Sequence, residues 1–262
     1  MSRRPSSSES PPKKTKPGKE RLDVLVVERG LAPSRQRAQA YLLAGQVRVN
    51  GVKADKAGAQ VSCDARVEIA GEALRYASRA GLKLEGALED FSLSPLDCVC
   101  MDVGSSTGGF TDCLLQNGAR KVFAIDVTID QLDWKLRRDP RVVTLEKNAR
   151  YLEPEDIDEP AEFVTVDVSF ISVSKILSAV VALAAPKADF VVLVKPQFEL
   201  EKRDVGKGGI VREAALHQKA IDRVTQAARA AGLEIDGARP SHVAGAAGNQ
   251  EFFLHARRPR VA

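Results

Sequence analysis

The sequence predicts an α/β protein, a Rossmann-like doubly wound sheet preceded by a small N-terminal α+β unit. Three observations carry that expectation. From residue 76 onward, short apolar runs alternate with stretches of helical periodicity, the pattern of βαβ units. FVVLV at 190–194 is apolar at every position, so it belongs in a strand buried on both faces. A strand ending at Val103 leads directly into GSSTGG at 104–109, a turn that lets the backbone approach a ligand.

In chain order, residues 1–20 carry six Lys or Arg against two Glu and almost no apolar side chains. Such a segment cannot offset its ordering entropy and is expected to be a disordered basic tail, either a weak polyanion-binding arm or a solubilising leader. Leu22, Val24, Leu25, Val26 and Val27 supply a short helix that Gly30 ends. Ser34 is the expected N-cap of a helix over 35–44, closed by Gly45. Asn50-Gly51, between the run 46–49 and Val52, is a hairpin-turn signal, and 67–69 adds a strand. Residues 21–75 thus read as one domain near the lower size limit for independent folding. Within 76–262 the expected strands are 98–103, 121–125, 142–145, 163–166, 190–194, 233–235 and 251–256, the last as an antiparallel edge. Helices are expected over 108–117, 130–138, 173–184 and 213–231, with another carrying Lys83 ahead of the sheet.

Composition excludes several classes. Apolar residues make up 44% of the 262 and charged ones 28%, ordinary for a globular protein with a sizeable core. The net charge of +4 resides in the first twenty residues, so a basic site elsewhere needs local clustering. The longest apolar run, 179–185, is far short of a membrane span, and the N-terminus lacks the apolar region of a secretory signal. Cys63, Cys98, Cys100 and Cys113 do not resemble a disulfide framework, and His217, His242 and His255 are too widely spaced for a metal site. The expectation is a cytoplasmic, reduced, metal-free protein without membrane association.

The turn after the first long strand reads DVGSSTGGFT at 102–111. Gly104, Ser105, Ser106, Thr107, Gly108 and Gly109, with Phe110 opening the next helix, place backbone and helix N-terminus against a polar ligand. The spacing is neither GxGxxG nor GxxxxGK[ST], so neither a dinucleotide nor a phosphate loop is indicated. Asp126 ends the second strand 22 residues after Gly104, where a carboxylate accepts hydrogen bonds from ribose hydroxyls. These features fit an adenosine-containing cofactor without phosphates, with S-adenosylmethionine (SAM) as the natural candidate. The plain alternative is a tight turn followed by a helix-capping Asp.

Polar residues also stand where strands should end. Asp167 follows 163–166, Lys195 follows FVVLV and precedes Pro196, Glu251 opens the final strand, and Lys83 lies in the helix before the sheet. The carboxyl ends of parallel strands line the ligand crevice of an open sheet, which is where Asp167 and Lys195 belong. Singly, each has a plain reading as a solvated lysine, a helix cap or a surface charge.

As a set, Lys83, Asp167, Lys195 and Glu251 match in order and spacing the Lys-Asp-Lys-Glu tetrad of the FtsJ-like 2′-O-ribose methyltransferases. SRAGLKL, DVGSSTGGFT, DVSFIS, LVKPQFE and GNQEFF resemble the TlyA family in particular. That family joins such a methyltransferase to an N-terminal S-four-type RNA-binding domain. Its members carry both haemolysin and ribosomal RNA cytidine 2′-O-methyltransferase names. RLDVLVVERGLAPSRQRAQAYLLAGQVRVNG at 21–51 resembles the S-four-type domain closely, and the whole resemblance covers 21–257.

The resemblance implies SAM-dependent methylation of a ribose 2′-hydroxyl, of cytidine, in RNA of the small or large ribosomal subunit. It implies a cofactor held by 104–110, Asp126, Val127, Asn148, Ala149 and Asp167, with Arg150 near the adenine. A 2′-hydroxyl is a poor nucleophile and must lose its proton while attacking the methyl in line. Neutral Lys195 is the expected general base, with Asp167 and Glu251 orienting the two lysines and the hydroxyl. An amine of ordinary pKa, about 10.4, must be depressed to serve that role at neutral pH.

For RNA, Arg35 and Arg37 begin a helix, Arg21 is near in sequence, and Arg48 and Lys53 flank the Asn50-Gly51 turn. Such a constellation follows a phosphate backbone; its plain alternative is a solvated face. Arg79 and the loop residues Lys202, Arg203 and Lys207 are expected to extend the surface to the catalytic mouth. Aromatics at 5% favour a folded RNA over a single-strand stacking platform. Two readings compete: a pore-forming haemolysin, which finds no spanning segment, and an inert ribosome-assembly module, against which the intact tetrad argues.

Overall fold

The computed structural model describes residues 18–70, 75–245 and 248–260. The chain divides into two compact units, Met1–Gly71 and Glu72–Ala262. Residues 1–17 of the expected basic tail and 71–74 of the stretch between the units lie outside the described residues.

The first unit runs β1 (Lys19–Arg21), α1 (Leu22–Glu28), α2 (Arg35–Leu43), β2 (Val47–Val49), β3 (Val52–Ala54), β4 (Gln60–Ser62) and β5 (Val67–Ile69). Lys19 and Glu20, grouped with the tail on composition, form β1 instead and pair antiparallel with β4, Lys19 opposite Ser62. That ladder is made by main-chain groups, which composition does not register. Ser34 caps α2 by accepting from Arg37 N–H at 3.2 Å. Asn50 and Gly51 both adopt positive φ, 52° and 80°, the conformation a tight hairpin turn requires between β2 and β3. Leu22, Leu25, Val26, Ala38 and Leu42 close the small core between the two helices and the strands.

The second unit opens with α3 (Ala80–Phe91). It continues β6 (Val99–Val103), α4 (Gly109–Gln116), β7 (Lys121–Asp126), α5 (Trp134–Arg138), β8 (Val142–Glu146), β9 (Ala161–Val166) and α6 (Leu177–Ala182). It ends with β10 (Ala184–Val194), α7 (Pro196–Glu199), α8 (Ala214–Ala230), β11 (Glu234–Pro240) and β12 (Phe252–Arg257). The seven strands form one sheet in the order β11-β12-β10-β9-β6-β7-β8. β6 to β10 are mutually parallel where they pair, and β12 runs antiparallel to both neighbours.

Strand alternation divides the core into two layers. Phe190, Val192 and Val194 of β10 join Val99, Met101 and Val103 of β6 beneath α6 and α8. Val191 and Leu193 join Cys100, Val122 and Ala124 beneath α3 and α4, with Phe110 and Leu114. The all-apolar FVVLV run is thereby buried on both faces, which is why it lacks polar alternation.

Several expected boundaries move. The strand expected as an antiparallel edge is β12, which lies inside the sheet, while β11 is the edge. Phe253, Leu254 and Ala256 are buried, so β12 packs on both faces and takes a ladder on both sides. The helix expected over 173–184 breaks into a 3₁₀ turn, Val173–Lys175, and α6, and β10 already starts at Ala184. Pro186 and Lys187, the latter at φ 69°, sit at the register shift between Ala184 and Asp189, where a strand tolerates proline. The helix expected over 130–138 shortens to α5 because the Asp133 side chain caps it, accepting from Lys135 N–H.

Candidate active site

The loop after β6 is shaped by what it must pass. Gly104 has φ 89°, and a Cβ there would overlap the Asp167 carbonyl oxygen, so only glycine lets the loop lie against the end of β9. Asp126 braces the loop from the end of β7: its carboxylate accepts from Ser106 N–H at 2.8 Å and from Val127 N–H at 2.7 Å. Beneath the loop, the buried Asp102 carboxylate accepts from Thr111 Oγ1 at 2.7 Å and Thr165 Oγ1 at 2.9 Å, tying β6 to α4 and β9. Burial pushes the Asp102 carboxyl up to about 7, and the two threonine hydroxyls offset only part of that rise.

A cavity of about 490 Å³ opens at this end of the sheet. Of the residues expected to hold a cofactor, Gly104, Ser106, Asp126, Val127, Asn148, Ala149 and Asp167 line it, as does Arg150. Ser105, Thr107, Gly108, Gly109 and Phe110 do not; Ser105, Gly108, Gly109 and Phe110 are buried and form the turn itself. The Asn148 side chain caps the next turn by accepting from Arg150 N–H at 3.0 Å. Sequence reasoning assigned no role to Thr128, Gln131, Lys147, Ser169, Phe170, Ile171 or Ile176, which also line the cavity. Ser169, Phe170 and Ile171 lay in plain sight in DVSFIS, but their exposure to the cavity depends on the loop path after β9. The backbone cradle at Gly104, where a Cβ would overlap Asp167, together with the polar side chains of Asp126, Asn148 and Asp167 on the cavity wall, fits a polar, nucleoside-sized cofactor.

The four residues expected to form the tetrad make two ion pairs. Lys195 Nζ lies 2.5 Å from Asp167 Oδ1 and donates to Ser169 Oγ at 2.9 Å. Lys83 Nζ donates to Glu251 Oε2 at 2.6 Å. Strand register links the pairs: Val194 faces Phe252 across β10 and β12, so Lys195 and Glu251 stand one residue beyond that contact on adjacent strands. Parallel pairing of β9 with β10, Val166 opposite Val192, brings Asp167 to the same end. Pro196 occupies the first turn of α7 and stops β10 at Lys195. Glu251 is 2% exposed and Lys195 9%, so both pairs are largely shielded from water. A Cβ on Gly245 would overlap the Glu251 carboxylate, so a side chain there would displace Glu251.

In the first unit, the expected RNA contacts fall into two sets. Arg21 grips Asp23 through Nε and Nη2, both at 3.0 Å, and Arg35 Nε reaches the same carboxylate at 2.8 Å. Gln39 completes its shell at 2.9 Å. Burial alone would raise the Asp23 carboxyl, but the hydrogen bonds from Arg21, Gln39 and Arg35, with the Arg35 charge, hold it well below the usual carboxylate range. Arg37 lies over the Tyr41 ring at 5.4 Å, Arg48 donates to Gly51 O at 3.2 Å, and Lys53 is exposed. Arg79, in the second unit, is exposed just ahead of α3. Among the described residues no group of three side chains is arranged to hold a metal ion, and no helix is long and apolar enough to cross a membrane.

Comparison with known proteins adds the following. The family model described as FtsJ-like methyltransferase matches residues 76–258, and that of the S4 domain matches 20–67. YqxC of Bacillus subtilis is 48% identical over 92% of this chain and 86% of its own length. The 16S/23S rRNA (cytidine-2′-O)-methyltransferase TlyA of Mycobacterium tuberculosis is 44% identical over 90% of this chain and 89% of its own. A solved hemolysin-named protein from Streptococcus thermophilus is 43% identical, with a TM-score of 0.73 over 92% of this chain and 89% of that one.

Proposed function

The chain belongs to the FtsJ-like methyltransferase family and carries an S4 domain ahead of it, and from that premise we propose that it methylates a ribose 2′-hydroxyl of ribosomal RNA, on cytidine. Family and fold imply SAM as methyl donor. The observation that carries the reading is the contact of Lys195 with Asp167 and Ser169, both of which line the cavity together with Gly104. The 44% identity to a protein named for cytidine 2′-O-methylation of 16S and 23S rRNA supports the substrate class and the nucleoside. Such an enzyme works in the cytoplasm, where ribosomes are assembled.

Bound SAM supplies an electrophilic methyl carried on a sulfonium. The chain supplies the rest. The Lys195 nitrogen donates one N–H to Ser169 and forms an ion pair with Asp167, which leaves a tetrahedral position for a substrate hydroxyl. In the neutral amine that position is the lone pair, which takes the proton of the 2′-hydroxyl as its oxygen attacks. Glu251 fixes Lys83 by a short ion pair and lets Lys83 stand beside the developing negative oxygen. Gly104 and the carboxylate of Asp126 hold the donor side of the cleft, so that donor and acceptor meet in line. The arginines of the first unit supply phosphate affinity and its salt dependence rather than sequence selection.

The test is transfer of radiolabelled methyl from SAM to purified 30S and 50S subunits, with Lys195→Ala alongside. Wild type should label RNA at one cytidine that becomes resistant to alkaline cleavage, and Lys195→Ala should bind SAM without transferring. Wild-type turnover in Lys195→Ala would remove that lysine from the mechanism. No label on either subunit despite SAM binding would favour an inert assembly module. No observation in the site favours a pore-forming reading, whatever the hemolysin name of the streptococcal relative.

A further inference from the structure

The side chain of Glu199 is used by nothing in the mechanism above, yet it is 2% exposed and fully engaged. Its Oε1 accepts from Val173 N–H at 2.8 Å and its Oε2 from Ser172 Oγ at 2.5 Å. Glu199 ends α7, four residues after Lys195. Ser172 and Val173 directly follow segment 167–171, which carries Asp167 and Ser169 to Lys195 and lines the cavity. The turn bearing the base and the loop bearing its partners are therefore tied together twice, once at the reacting end and once behind it.

We propose that Glu199 is a positioning residue for methyl transfer, clamping the Lys195 turn to the loop after β9 so that Asp167 and Ser169 stay in reach of the Lys195 amine. The inference rests on Lys195 being the general base. Without the clamp, the 3₁₀ turn Val173–Lys175 loses its buried acceptor for Val173 N–H and the loop is free to slide. The surroundings add support at both ends. Arg223 donates to the Glu199 carbonyl at 2.8 Å, anchoring α7 to α8, and the Phe170 and Phe198 rings lie 5.3 Å apart across the same two segments. Burial raises the Glu199 carboxyl above its ordinary value, so an uncharged side chain of the same shape suits the site. A glutamine would accept from Val173 N–H through its oxygen and donate to Ser172 Oγ through its nitrogen, keeping both links.

The experiment uses the full chain with wild type, Glu199→Ala and Glu199→Gln, and Ser172→Ala as a milder cut of the same clamp should Glu199→Ala not fold. Methyl transfer to ribosomal subunits, SAM affinity and hydrogen exchange at the Val173 amide are measured in each. Glu199→Ala should lower kcat by about tenfold to a hundredfold, the scale of a small misplacement of reacting groups, with SAM affinity and the KM for RNA unchanged. Its Val173 amide should exchange faster, and Glu199→Gln should restore both rate and protection. An unchanged kcat in Glu199→Ala, or a Glu199→Gln as impaired as the alanine, would overturn the proposal. Absence of transfer by wild type, with Val173 protected in wild type and released in Glu199→Ala, would instead sink the functional reading and leave the clamp standing.

Discussion

Asp23 in the first unit and Asp102 in the second are both wholly enclosed, yet their environments drive them in opposite directions. Asp23 meets two guanidinium groups and an amide, and these donors outweigh burial, so it stays ionised. Asp102 meets two neutral hydroxyls, and burial prevails. Enclosure does not decide ionisation; the charge of the partners does. The contrast also follows the work of each unit. In the first unit, an internal carboxylate holds in place two arginine side chains that stay about half exposed. In the second unit, the Asp102 carboxyl joins strand, helix and neighbouring strand through two neutral hydroxyls.

The largest effect expected from breaking this contrast is Asp23→Ala, which strands two guanidinium groups and removes their shared acceptor. It should cost the first unit about 2–3 kcal/mol, less than for a wholly buried pair because the two arginine partners are about half exposed, and leave the second unit's stability unchanged. Amide exchange read separately over 18–70 and 75–245 checks this. Equal losses in both regions would show that the two carboxylates are not independent.

Next in size is the pH dependence. The folded-state value of Asp102 is raised, so its contribution is fully present below the ordinary carboxylate range and is lost as pH rises through about 7. The span is on the order of a few kcal/mol, and Asp102→Asn should flatten it. Asp23 is depressed, so its contribution is present above the ordinary carboxylate range and is lost as pH falls below it. Urea unfolding from acid to neutral pH, wild type against Asp102→Asn, checks the sign: a slope that survives the substitution would acquit Asp102.

Smaller effects sharpen the first unit. Ser34→Ala should cost it about 1 kcal/mol through loss of the α2 cap, measured by the same exchange profile. Arg48→Ala should leave stability untouched and lower the salt-dependence slope of RNA binding by about one phosphate contact. Arg21→Ala should lower both stability and that slope, because it also releases Asp23; identical behaviour of the two arginine variants in stability would deny the Asp23 network its role.

How far these features were legible from residues alone varies with their physical origin. The small-residue turn at 104–109 was legible because a close backbone approach restricts side-chain size. The core strand at 190–194 was legible because burial on both faces abolishes alternation. β1 was not, since main-chain pairing leaves no mark on composition. Nor was the interior place of β12, which is a matter of strand order. Arg21 and Arg35 were legible as basic residues near a helix start, but not as partners of one carboxylate.

By itself, the sequence determined which chemistry the chain carries: two amines and two carboxylates at strand and helix ends, a loop too small for side chains, and a basic helix-hairpin ahead of them. Tertiary structure decided which amine meets which carboxylate. Lys195 pairs with Asp167, 28 positions earlier, and Lys83 with Glu251, 168 positions later. Such pairings are set by strand register and by the insertion of β12 beside β10, and these depend on contacts between segments far apart in the chain. Local propensity acts over a few residues, whereas an ion pair forms wherever the packed sheet delivers its two ends.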